Sequence, residues 1–258
     1  MNFEELVNDR ISSATKISYN IINWYKETNE NYKKHLPLIK ESYYGMAIIS
    51  YVCDFLEKYG EGDHDKISFQ LKSSIENNIK LSIKNCGQII NDDVVIGTIS
   101  YSSMVKDAII NNRHKIKSVY VLESGPGYEG KLLASYLDRN KIDTRVFTDL
   151  SMYEFAKSVD ICIIGSDLIT INGDLIHKNG TFPLCLSMNK FKKPVYSLAT
   201  HEKIDKNFTE DDYYKIKNHS EINSHINRFF DFTYGELIAY YITEYGKIKP
   251  EAINNIGK

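Results

Sequence analysis

At 258 residues, with a formal net charge of −2, the chain is long enough for one large domain or two modest ones and needs no covalent staples to hold a core. The near-neutral balance excludes a broad basic field, so no direct contact with nucleic acid is expected. No apolar run approaches a membrane span, no secretory leader is visible and none of the four cysteines form a C-x-x-C pair, so a reduced, cytoplasmic protein without membrane contact is expected.

Residues 1–88 read as a helical domain. Leu6, Ile11, Ala14, Ile17, Ile21, Ile22 and Tyr25 recur at three- and four-residue steps, as one face of a single long helix would. Ser42 is a candidate N-cap for a second helix, YYGMAIISYVCDFLEKY, which stops near Gly60. After the polar turn GEGDHD, Ile67 to Ile83 again steps at helical intervals. The character changes at Asp92. Apolar runs now alternate with helical stretches: DVVIGTI, SVYVLE, DTRVFTD, DICIIG and PVYSLA are strand candidates, and SSMVKDAIIN, GYEGKLLASYLDRN, SMYEFAKS and TFPLCLSMNKF lie between them. That alternation predicts an α/β class with a mainly parallel, doubly wound sheet over residues 89–258. Cys162 and Cys185 fall in apolar runs and are expected to be buried and inert. Residues 201–228 are polar and read as a connection with one further helix, and FDFTYGELIAYYITEYG as a closing helix.

In an open parallel sheet, ligands bind at the carboxyl ends of the strands near the point where strand order reverses. That rule selects GTISYSS (97–103), ESGPGYEG (123–130), TDLS (148–151) and GSDLITINGDLIHKNGT (165–181). Gly125, Gly127 and Gly130 spell G-x-G-x-x-G, and Asp149 follows nineteen residues after the last glycine, as in a dinucleotide-binding turn. The chemistry argues against that use. Pro126 removes one of the N–H groups a pyrophosphate would need. Glu123 and Glu129 place two carboxylates beside it, and Glu129 near a helix N-terminus is stabilising without any ligand. Asp149 caps or opens the following helical turn as readily as it holds a ribose. Glu123 either accepts hydrogen bonds from ligand hydroxyls or orders the neighbouring loops.

Three stretches, in order and at the right spacing over residues 90–250, resemble the translation initiation factor 2B alpha/beta/delta subunit family. That family also contains methylthioribose-1-phosphate and ribose-1,5-bisphosphate isomerases. The family's Glu-Ser-Arg-Pro, two variable residues, Glu-Gly stands here as Glu123-Ser124-Gly125-Pro126-Gly127-Tyr128-Glu129-Gly130. Its Gly-Ala-Asp-Arg, Asn-Gly and Asn-Lys-Ile-Gly-Thr stand as Gly165-Ser166-Asp167-Leu168, Asn172-Gly173 and His177-Lys178-Asn179-Gly180-Thr181. FDFTYGELIAYYITEYG is similar to its Phe-Asp-x-Thr-Pro-Pro-Glu ending. The resemblance implies a helical N-terminal domain, a Rossmann-like C-terminal domain that self-associates as a homodimer or larger assembly, and an interdomain cleft that takes sugar phosphates in many members. It also implies an isomerase cysteine in the turn after the first Rossmann strand, partnered by the aspartate of Gly-Ala-Asp-Arg.

Here the cysteine position is Ser100, a far poorer acid, base or nucleophile than a thiol. Asp167 is kept, but Gly125 and Leu168 stand where the family has arginines, so two bidentate phosphate partners are absent. The candidate ligand-binding residues are Thr98, Ser100, Ser102, Glu123, Asp167, Asn172 and Lys178; Asp167 and Ser100 are the catalytic candidates if the chain is an isomerase. Each has a plainer alternative. The hydroxyl-rich turn at 98–103 binds an anion or simply caps a helix. Asp167 is a ligand or an acceptor for its own loop. Lys178 is a phosphate partner or a solvated surface lysine, and His177 a polar loop residue. No metal set and no cofactor are expected. The expected function is that of a non-catalytic initiation factor 2B subunit-like protein, regulatory or scaffolding, with translation initiation factor 2 as its first candidate partner. Its cleft would hold a sugar phosphate or nucleotide. The alternative is an aldose–ketose isomerase pairing Asp167 with Ser100, Glu123 or His177.

Overall fold

The computed structural model describes residues 2–9, 12–28, 31–216 and 228–256. Ile11 and residues 217–227 of the predicted connection lie outside them.

The first part is five helices: α1 (Phe3–Val7), α2 (Ala14–Glu27), α3 (Tyr32–Ser42), α4 (Ala47–Tyr59) and α5 (His64–Cys86). The single long helix expected from Leu6 to Tyr25 is two, because α2 opens at its own N-cap. The Ser13 hydroxyl accepts from the Lys16 N–H, which satisfies a donor that a continuous helix would bond internally. Ser42, expected to open a helix, instead closes α3. The next helix starts only at Ala47, past Gly45 at φ 93°, where the chain reverses. Gly60 ends α4 as expected, and its carbonyl accepts from the Tyr25 hydroxyl at 2.7 Å. Ile17, Ile21, Leu36, Ile48, Val52 and Leu71 form the helical core. α5 serves two cores. Leu71 and Ile75 pack with the helices, and Ile83 and Cys86 pack with the sheet that follows.

That sheet has seven strands in the order β11-β10-β7-β4-β1-β2-β3. The five strands anticipated from apolar runs are its centre: β1 (Val94–Ile99), β2 (Ile116–Leu122), β3 (Thr144–Phe147), β4 (Ile161–Ile164) and β7 (Val195–Leu198). They are parallel, with Gly97 opposite Tyr120 on one side and Cys162 on the other. The crossovers are α6 (Ser103–Asn111), α7 (Glu129–Arg139), α8 (Met152–Ser158) and α9 (Thr181–Lys190). The chain runs outward from β1 through β2 to β3, then returns to place β4 on the other flank of β1. The order therefore reverses between β1 and β4, which is where such sheets hold ligands.

The closing helix does not form. Its residues make β9 (Phe230–Thr233), a 3-10 turn at Gly235–Leu237, β10 (Tyr240–Thr243) and, with Gly246 at φ 101°, the turn into β11 (Gly246–Ile248). Tyr240, Tyr241, Ile242 and Thr243 are aromatic or β-branched, the residues that a pleated surface accepts best. Tyr241 and Ile242 are buried where β10 extends the parallel sheet beside β7. The stretch 165–181, selected as a site segment beyond the end of a strand, carries β5 (Leu168–Thr170) and β6 (Leu175–Lys178). They form a hairpin in a second sheet of order β8-β5-β6-β9, where β8 is Ile204–Asp205. Strands of three or four residues, buried on both faces, carry too few positions for a period to show. The short helix α10 (Glu210–Tyr213) falls within the expected connection. Among the described residues, no helix is long and apolar enough to cross a membrane.

Candidate functional site

A cavity of about 810 Å³ opens at the reversal point, between the helical part and the carboxyl ends of the strands. Ser100, Ser102, Asp167, His177, Lys178 and Lys203 line its sheet side. Residues from α2 and from the turn between α3 and α4 close the other side.

Two turns make the rim. Ser100 sits at φ 69° after β1, and its N–H donates to the Ser124 hydroxyl at 2.7 Å. That hydroxyl donates in turn to the Leu122 carbonyl. The Ser124 and Gly125 N–H groups donate to the two Asp149 oxygens at 2.9 and 2.7 Å. Asp149 does open the following 3-10 turn, but its carboxylate reaches back to the glycine turn. It fills the place where a pyrophosphate would have found those donors, and Pro126 offers none. The G-x-G-x-x-G spacing is therefore a self-satisfied turn. Gly130 has a packing role, since a Cβ there would run into the Leu122 carbonyl oxygen. Glu129 is the first residue of α7, as the dipole argument requires. Ser102 caps α6, its hydroxyl accepting from the Val105 N–H.

The floor comes from the loop after β4 and from the second sheet. Asp167 bonds through its backbone on both sides. Its N–H donates to the Ile176 carbonyl, and its carbonyl accepts from the Ala47 N–H at 3.0 Å, so the first turn of α4 is anchored on the site. Burial pushes the Asp167 carboxyl up to about 6, against the pull of the Lys203 and Lys178 ammonium groups. His177 is buried on β6, not in a loop. Burial first, then Lys203 and Lys178, hold its imidazole down to about 3, so it is neutral. The Thr181 hydroxyl donates to the Lys178 carbonyl and lies 3.0 Å from His177 Nδ1. Thr181 therefore accepts from Nδ1–H, and Nε2 is left as an acceptor beside Gly165. A Cβ at Gly165 would lie 2.9 Å from Ser102 Oγ and 3.1 Å from His177 Nε2, so only glycine lets these elements meet.

Lys178 is buried, not a solvated surface lysine, and its Nζ stands 3.0 Å from both oxygens of Glu129. Lys203, also buried, donates to the Ser166 carbonyl at 2.6 Å. Its pKa is lowered by burial, opposed by Asp167 and Glu202. No sequence signal marks Lys203, which follows β7 outside every motif.

Of the predicted site residues, Ser100, Ser102, Asp167 and Lys178 come together in the cavity. Thr98 is buried inside β1. Glu123 pairs with Lys131 at 2.8 Å outside the cavity. Asn172 lies in a separate surface depression beside Asp174 and Pro250. All four cysteines are buried. Burial pushes the Cys185 thiol up to about 12 and that of Cys162 well above its ordinary value, and no cysteine is among the described residues lining the cavity.

Residues 56–250 match the Initiation factor 2 subunit family. The chain belongs to that family. The protein named putative translation initiation factor eIF-2B subunit 2-like from Pyrococcus furiosus is 33% identical over 167 residues, which cover 63% of this chain and 60% of that relative. The ribose 1,5-bisphosphate isomerase of Methanocaldococcus jannaschii is 29% identical over 144 residues, covering 52% of this chain and 47% of the relative. The chain thus spans about half to three-fifths of the length of these curated relatives. In fold, it superposes on the crystal structure of the Pyrococcus horikoshii OT3 translation initiation factor eIF-2B with a TM-score of 0.81 at 23% identity, over 96% of this chain and 95% of that one.

The two positions where this member of the initiation factor 2 subunit family departs from arginine differ in kind. Leu168 is buried in a small separate cluster with Ala47, Ile176 and Phe208. A Cβ at Gly125 would meet only Asp149 Oδ2, in van der Waals contact at 3.4 Å.

Proposed function

We propose that the chain is a non-catalytic, initiation factor 2B-like regulatory or scaffold subunit whose cavity holds a sugar phosphate or nucleotide. The observation that carries this reading is the composition of the cavity wall. It contains a carboxyl, a neutral imidazole, hydroxyls and lysines, the groups that hold ring hydroxyls and a phosphate, and no thiol. Its charges also nearly cancel: among the described residues, Lys16, Lys178 and Lys203 face Asp9, Glu41, Glu129 and Asp167. Translation initiation factor 2 is the proposed macromolecular partner, in the cytoplasm. Self-association is proposed at the β3 side of the sheet, where Val146, Leu150 and Tyr153 expose large apolar side chains.

One observation favours a second reading, an aldose–ketose isomerase. Asp167, with a pKa of about 6, is a carboxyl able to take and give a proton near neutral pH, and the His177 Nε2 is an acceptor in the same cavity. Purified protein incubated with ribose 1,5-bisphosphate and with methylthioribose 1-phosphate separates the two. No turnover, together with a thermal-shift response to a phosphosugar or nucleotide that Lys178→Ala abolishes, is the expected result. Turnover that Asp167→Asn removes establishes the isomerase instead.

A further inference from the structure

A second polar cluster lies at the same end of the sheet, where β7 and β10 run side by side with Leu198 opposite Ile242. His201 and Glu202 follow β7, and Glu244 follows β10. One ligand atom from each, the His201 Nδ1 and one oxygen from each glutamate, fall within 4.8 Å of one another. His201 Nδ1 stands 2.5 Å from Glu244 Oε1 and 3.7 Å from Glu202 Oε2. The Glu202 side chain is 0% exposed and that of Glu244 3%. In both, Oε2 is buried without a hydrogen-bond partner. A buried carboxylate oxygen with no donor is costly.

The groups around the cluster do not remove that cost. Asn78 on α5 donates to Glu202 Oε1 at 2.7 Å, and the His201 N–H donates to Glu244 Oε1 at 3.1 Å. Lys203 is committed to the Ser166 carbonyl. The Tyr51 ring meets His201 edge-on. One imidazole, even when protonated, offsets one of the two carboxylates. The remaining charge is negative and buried.

We propose that His201, Glu202 and Glu244 form a divalent metal site, with Zn²⁺ as its ion. One imidazole and two carboxylates form a mixed nitrogen–oxygen set of the kind zinc accepts, whereas an all-oxygen set would suit magnesium or calcium. With bonds of about 2.0–2.2 Å, tetrahedral ligand atoms stand roughly 3.3 Å apart. The distances of 2.5 and 3.7 Å from His201 bracket that separation, and all three ligand atoms lie within 4.8 Å of one another. His201, 26% exposed, is the entry side, where water completes the coordination. Asn78 is a positioning residue. It holds Glu202 through the other oxygen and ties the site to α5, the helix shared by both cores.

The full chain, stripped of metal by chelator and desalted, tests this by calorimetric titration with Zn²⁺. One equivalent per chain is expected, with a rise in Tm that chelator reverses. Glu244→Gln, nearly isosteric, is expected to weaken binding by well over tenfold. Asn78→Ala should weaken it by about tenfold. His114→Ala, a change at an exposed histidine elsewhere, should leave it unchanged. Cobalt loaded in place of zinc should give a visible absorption band in the wild type and none in Glu244→Gln. If Glu244→Gln does not fold, as judged by near-ultraviolet circular dichroism, His201→Asn replaces it in the same titration. No uptake at tenfold molar excess, or equal uptake by wild type and both ligand variants, overturns the proposal.

Discussion

The turn after β2 and the cavity floor after β4 both bring carboxylates and donors to the carboxyl end of one sheet, but they use them differently. In the turn, the groups answer one another. Asp149 takes two N–H groups, the Ser124 hydroxyl accepts from Ser100 and donates to Leu122, and Glu123 has Lys131. On the floor, Asp167 is pushed up to about 6 and His177 down to about 3, while Lys203 is buried beside them. Equally polar segments therefore part into scaffold and site according to whether their charges are satisfied locally or left for something else to meet.

The largest test of that contrast is the pH dependence of stability. Unfolded aspartate and histidine titrate near 3.9 and 6.5. Folded Asp167, with its pKa raised to about 6, binds its proton more tightly than the unfolded chain does, so its contribution is lost as pH rises from about 4 to about 6. Folded His177, depressed to about 3, binds its proton less tightly, so its contribution grows as pH rises from about 3 to about 6.5. Over the shared window the two slopes oppose, and the wild type should be nearly flat. Asp167→Asn should unmask a rise of about 5 kcal/mol between about pH 3 and 6.5, and His177→Asn a fall of about 3 kcal/mol between about pH 4 and 6. Urea unfolding at stepped pH measures both, and identical profiles for the two variants would sink the assignment.

Next in size is Gly130→Ala. Its methyl group meets the Leu122 carbonyl and the Ser124 hydroxyl, so a loss of about 3 kcal/mol is expected by chemical denaturation. Asp149→Ala strands the Ser124 and Gly125 N–H groups, which should cost about 2 kcal/mol. A loss below a few tenths would mean that water replaces the carboxylate and that the turn is not self-satisfied. Smallest is Gly125→Arg, which restores the family residue. Gly125 has an ordinary φ and a Cβ there makes no contact closer than 3.4 Å, so stability should change by less than about 0.5 kcal/mol. Any gain in phosphosugar affinity would then report the added guanidinium directly.

Much of the architecture is legible in the sequence. The five central strands and the four helices between them are marked by apolar runs long enough to show their own period. The motifs led to Asp167, Lys178 and Ser100. They also led to Glu123 and Asn172, which lie in the right loops but outside the cavity, because a motif specifies a segment and not the direction of each side chain. The closing segment reads as helix because its apolar spacing fits both periods, and the flank of β7 decides for strand.

What the sequence determined by itself was therefore local: the five central strands and the helices between them, the helix ends at Ser102 and Gly60, the family, and the segments where a site would lie. Tertiary structure alone decided which charges meet. Asp149 reaches Ser124 across 25 residues, Lys178 reaches Glu129 across 49, and Glu244 reaches His201 across 43. No spacing rule spans such intervals, because a side chain's partner depends on strand order and register. Its protonation depends on how much water those partners exclude.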